Sequence, residues 1–132
     1  MFIGLLIIVL LTSSFSSAKT TFFDFESFSQ LIDQSKSKII EEFLPELKAS
    51  NSELFNNYLL AYRSRSLQGS SPLAPRAILF SQDASFAMSF NGHEKQRGHD
   101  SLEVMRFNPV KYNFEFYEIS FVNNRPRVSS AN

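Results

Sequence analysis

Apolar residues in this chain change their spacing once, near residue 75. Before that point they recur at Phe28, Leu31, Ile32, Ile39, Ile40, Phe43 and Leu44, a helical period interrupted only around Ser35 and Lys36. Ser27 stands three residues before Gln30, the spacing of a capping box, and Pro45 should stop or kink the helix that precedes it. Ser50 and Glu53 repeat the capping spacing. Leu54, Phe55, Tyr58, Leu59 and Tyr62 then mark one face of a second, shorter helix.

Residues 64–75 are rich in Ser and contain Gly69, Pro72 and Pro75, the composition of a linker. Beyond them the period is two. Short strands are predicted over 76–80, 85–90, 102–107 and 113–121, with a polar loop, NGHEKQRGHDS, over 91–101. Asn123-Asn124 turns the chain again. Pro126 limits the remaining residues to an edge or a tail, and 123–132 reads as a tail.

The last hairpin can be registered from side-chain pairing alone. With Phe107 opposite Phe114, Arg106 faces Glu115, Met105 faces Phe116, Val104 faces Tyr117 and Leu102 faces Ile119. A shift of two residues would set Val104 against Glu115. The favoured register leaves one conflict, Glu103 facing Glu118.

Helices succeeded by strands predict an α+β fold: two N-terminal helices packed on a small antiparallel four-stranded meander, with 19–122 as one domain. A small partial barrel with the helices at its open end is the alternative.

Residues 1–18 change where such a domain would work. Phe2–Leu11 is an apolar run of ten succeeded by small polar residues, and Ser16-Ser17-Ala18 suits a signal peptidase. Ten residues are too few to span a bilayer core, so a secretory signal cut between Ala18 and Lys19 is expected. The usual Lys or Arg near the start is missing, which leaves an uncleaved anchor as the alternative. The cleaved form implies a periplasmic or secreted location, with no membrane association after cleavage.

Composition narrows the function. The chain carries 13 basic and 13 acidic residues, so nothing in its charge favours nucleic acid. It has no cysteine, which excludes disulfides, thiol nucleophiles and thiolate metal sites within these 132 residues. Thirteen of its 15 phenylalanines lie after residue 18, a load suited to building a core without disulfides.

Two constellations are candidates for chemistry. Glu103 and Glu118, opposed on adjacent strands, have the geometry of a carboxylate pair sharing a proton, an acid/base dyad. His93, His99 and Asp100 in the 91–101 loop, beside Glu94, offer metal-ligand types. Against a metal, His-x5-His is no usual zinc spacing, and Lys95 and Arg97 would repel a cation. There is no nucleophile elbow and no phosphate-cradling glycine loop.

The run from Pro75 to Phe121 contains an N-G…Q-R-G…L-E-V-x-x-F pattern at Asn91, Gly92, Gln96, Gly98, Leu102, Glu103, Val104 and Phe107. In this, residues 76–132 resemble the haem-proximal domain of a group of uncharacterised exported bacterial proteins, where a sheet module leads into a C-terminal C-x-x-C-H motif. The resemblance implies a truncated chain or one that lost the cofactor, with such a motif encoded downstream of Asn132. No haem-attaching cysteine exists here, so no cofactor is expected within this chain.

These readings converge on an exported, non-catalytic module with an unidentified protein partner, in the manner of the haem-less part of a cytochrome c-like protein. The alternative is a small metal-dependent or acid/base hydrolase built on the 91–101 loop with Glu103 and Glu118.

Overall fold

The computed structural model describes residues 23–130. The expected signal peptide, its Ala18–Lys19 junction and the last two residues lie outside the described residues. The chain runs α1 (Phe25–Gln34), α2 (Ile40–Ser50), a 3-10 turn (Ser52–Asn56), then β1 (Tyr58–Ala61), β2 (Arg76–Phe80), β3 (Phe86–Asn91), β4 (Ser101–Asn108), β5 (Asn113–Val122) and β6 (Arg125–Ser130). All six strands form one antiparallel sheet in sequence order, and the helices cover one of its faces.

The α+β character is as expected, but the sheet has six strands in sequence order and not the four of the expected meander. Both extra strands come from segments whose local signals point elsewhere. Tyr58–Tyr62 is apolar on both faces, so it has no alternation to show. Its apolar residues coincide with a helical stripe. In the fold, only Leu54 of that stripe is buried, and the chain past Asn57 pairs with β2 instead, Tyr58 opposite Leu79 and Ala61 opposite Arg76. Free backbone donors and acceptors on the edge of β2 outweigh a helix with little to bury.

At the other end, Asn123 and Asn124 both adopt positive φ, at 57° and 60°. Two such residues between paired Val122 and Arg125 make the tight hairpin turn whose twist matches the sheet. The segment read as a tail therefore returns as β6.

The central ladder has the expected register at every pair, from Leu102 opposite Ile119 through Glu103 opposite Glu118 to Phe107 opposite Phe114.

Helix boundaries differ from expectation. The cap of α1 is Asp24, whose carboxylate accepts the Ser27 N–H at 2.8 Å, and Ser27 lies inside the first turn. The chain leaves the helix after Gln34, and Glu46 of α2 accepts from the hydroxyls of both Ser35 (2.6 Å) and Ser37 (2.7 Å), which fixes the corner. Pro45 lies within α2. Lacking an N–H, it forfeits the helical hydrogen bond to the Glu41 carbonyl one turn earlier.

The core lies between the helices and one sheet face. Phe28, Ile32, Phe43, Leu47 and Leu54 meet Leu79, Phe86, Met88, Leu102, Val104 and Ile119. Phe23, Phe28 and Phe86 form an aromatic knot, with Phe23–Phe86 and Phe28–Phe86 ring centres both 5.2 Å apart. Among the described residues no helix is long and apolar enough to cross a membrane.

Candidate functional site: the open sheet face

Side chains alternate along each strand, so every residue next to a core position points to the other face of the sheet. With the observed register this places Phe80, Ala87, Met105 and Phe116 in one row across β2 to β5. A parallel row carries Ile78, Ser89, Glu103 and Glu118. Neither row is covered by a helix. Phe116 remains 53 % exposed and Phe114 49 %, while Phe107 packs against Phe114 and Tyr112 at 5.4 and 5.5 Å.

Residues 64–75, read as a linker, cross one end of this face as a strap. Gln68 of the strap is fully buried. Its side-chain amide donates to the Ser101 carbonyl at 2.7 Å and its carbonyl accepts from the Ser89 hydroxyl at 3.1 Å. The polar loop clasps the strap from the side: the Arg97 guanidinium donates to the carbonyls of Leu67 (2.8 Å) and Ser66 (2.6 Å), and the Gln96 amide donates to Ala74 (3.0 Å). Gly98 sits at φ +73°, where a Cβ would stand 3.1 Å from the Leu67 carbonyl. Gln96 and Gly98 of the N-G…Q-R-G pattern thus hold the loop and strap together.

Under the strap lies a charged cluster. Arg76 of β2 forms an ion pair with Glu103 of β4 and donates to Ser89, Ser64 and Ser66. Glu103 also accepts the Gln68 backbone N–H at 3.3 Å. Between this cluster and the apolar row is a cavity of about 250 Å³, its walls formed by Leu67, Ile78, Ala87, Met105 and Phe116 together with Glu118.

The expected site residues are distributed unevenly. Glu103 and Glu118 do stand opposite each other. The Glu103 carboxylate is nevertheless directed to Arg76 and Gln68, and among the described residues no hydrogen bond joins the two carboxyl groups. His93 is exposed and its Nδ1 accepts the Lys95 N–H at 3.1 Å. His99 turns the other way, its Nε2 2.7 Å from Glu41 of α2, and Asp100 does not join it. Among the described residues no three His, Asp or Glu side chains gather in a way that would hold a metal ion.

No motif singles out Arg76 or Gln68. A signal for Arg76 does exist: it alternates with Ile78 and Phe80, as Glu103 alternates with Met105 and Phe107, so one face of two strands carries opposite charges among apolar residues. Gln68 has no local signal.

A second cluster sits on the helix-covered face, at the far end of the sheet. Glu115 accepts from Lys111, Tyr117, Arg106 and Asn108, and these bonds hold its carboxyl far below the usual carboxylate range, Lys111 contributing most. The Arg106 guanidinium lies 4.4 Å from the Phe25 ring, itself stacked on Tyr117 at 4.5 Å. Burial, and after it the bond to Glu115, raises the Tyr117 phenol above its ordinary value. Every group is satisfied inside the cluster, which fastens α1 to the sheet.

Comparison with protein-family models, curated proteins and solved structures finds no match to this chain.

Proposed function

We propose that this chain is an exported, non-catalytic binding module, and that the open face of its sheet takes an apolar group from a partner molecule. The observation that carries the reading is the uncovered row Phe80, Ala87, Met105 and Phe116 beside a cavity of about 250 Å³. Apolar side chains left bare on a rigid sheet gain roughly 25 cal/mol for each Å² withdrawn from water. At the strapped end Arg76 is committed to Glu103 and Gln68 to Ser89 and Ser101, and the walls beside them are mainly apolar, which supports recognition by shape and apolar area. An export signal in residues 1–18 supports action outside the cytoplasm.

The test is a titration with an environment-sensitive naphthalene sulfonate dye. Saturable fluorescence is expected for the native chain. Phe116→Ser and Met105→Ser, at positions outside the helix-covered core, should each weaken binding at least tenfold with unchanged circular dichroism. Dye binding unaffected by both substitutions would remove the open face as the binding surface.

A further inference from the structure

The two edges of the sheet are built differently. On β6, the tight Asn123-Asn124 turn makes Val122 and Arg125 a hydrogen-bonded pair, so the next residue, Pro126, turns its nitrogen outward. That nitrogen has no hydrogen to offer, and Arg125 and Arg127 flank it. Proline and charge on an edge are the usual means of refusing another strand.

The β1 edge carries neither. Tyr58, Leu59 and Leu60 are 58 %, 49 % and 42 % exposed, and Tyr62 just beyond the strand is 52 % exposed. The phase of its backbone bonding is fixed by the Asn57 carbonyl, which accepts the Phe80 N–H at 3.0 Å. Antiparallel strands alternate, so Asn57, Leu59 and Ala61 direct their backbone groups to β2, while Tyr58, Leu60 and Tyr62 direct theirs outward.

The segment Tyr58-Leu59-Leu60-Ala61-Tyr62 is nearly symmetric about Leu60. Turned on a twofold axis through Leu60, it sets Leu60 opposite Leu60 of a second copy, Tyr58 opposite Tyr62, and Leu59 opposite Ala61. Every outward-directed residue then falls in a hydrogen-bonded pair, and every facing side chain is apolar or aromatic. The same operation sets Arg63 opposite Asn57, so no like charges meet. Centring the axis on Leu59 leaves the outward groups of Tyr62 without a strand partner.

We infer that β1 is a self-association edge: two copies of the chain pair their β1 strands antiparallel about Leu60 and join their sheets into one. The dimer is isologous and closed, because each copy spends the one edge that accepts a strand. The open faces of the two sheets lie on the same side of the joined sheet.

Sedimentation of the full gene product, purified after export, tests this across a concentration series. The expected result is a mass rising from one chain to two and no further. Leu60→Pro removes an outward N–H that β2 does not use, and Leu60→Lys sets two cations face to face. Both variants should stay at monomer mass with unchanged circular dichroism. A monomeric native chain, growth past two chains, or a dimer that survives both substitutions would overturn the inference. So would a chain that pairs only with a strand of some other protein.

Register supplies a second readout that does not depend on those variants folding. The chain has no cysteine of its own. A Leu59→Cys chain mixed with an Ala61→Cys chain should oxidise to a mixed disulfide in preference to either homodimer, since these positions form a close non-hydrogen-bonded pair. Homodisulfides in excess of the mixed species count against this register.

Discussion

Gln68 donates its buried side-chain amide to the carbonyl of Ser101, 33 residues further along the chain, at 2.7 Å. That bond joins the strap to the start of β4 at the point where the polar loop has just ended. Because the same side chain also accepts from Ser89, it ties together β3, β4 and the strap.

Replacing it tests how firmly the strap is held. Gln68→Leu keeps the bulk but strands the Ser101 carbonyl, a loss of about 1–3 kcal/mol for an unsatisfied buried group. The urea midpoint should fall accordingly. Limited proteolysis should cut within 64–75 sooner than in the native chain, and an unchanged cleavage rate would show that other contacts hold the strap.

Gly98 and Gly92 provide a matched pair in one loop. At Gly98 the backbone is left-handed, and a Cβ would meet the Leu67 carbonyl at 3.1 Å and Gln68 at 3.2 Å. Gly98→Ala should cost at least about 1–2 kcal/mol, the penalty of that backbone region for an L-residue. At Gly92 nothing lies within 4 Å, and Gly92→Ala should shift the thermal midpoint little. Equal effects at the two positions would refute the packing of loop on strap.

Glu115 predicts a pH dependence of stability. Its folded carboxyl ionises far below the ordinary value of 4.5, because Lys111, Tyr117, Arg106 and Asn108 all favour the charged form. A depressed folded pKa contributes stability that is complete above the unfolded value and is lost as pH falls towards the folded one. Urea midpoints of the native chain should therefore decline below about pH 4.5 more steeply than those of Glu115→Gln. The two curves should converge in strong acid. Parallel curves would mean that the cluster is formed equally in the unfolded chain.

N-terminal sequencing of the exported protein should begin Lys19-Thr20-Thr21. A chain that keeps Met1 and sediments with membranes would indicate an uncleaved anchor.

Legibility in the sequence depended on whether partners were close along the chain. The β4–β5 register could be derived from pair chemistry, because a short connection leaves few alternatives and each shift exposes a mismatch such as Val104 against Glu115. Asn123-Asn124 reads as a turn, yet its positive φ pair also implies a returning strand, and Pro126 obscures it. Proline bars a central strand but sits comfortably on an edge with its nitrogen outward. Of the candidate site, the Glu103–Glu118 opposition was readable from register. That Glu103 would be committed to Arg76, 27 residues away across two strands, was not.

By itself the sequence determined the period-two strands of 76–121 and the pairing of β4 with β5. These rest on alternation and on neighbours a few residues apart, where steric and pairing preferences act locally. Tertiary structure alone decided that Tyr58–Ala61 is a strand, that the Ser-rich segment is a strap, and which face stays bare. Each of those outcomes depends on a distant partner: the vacant edge of β2, the Ser101 carbonyl waiting for Gln68, and helices that had only enough apolar surface to cover one side of the sheet.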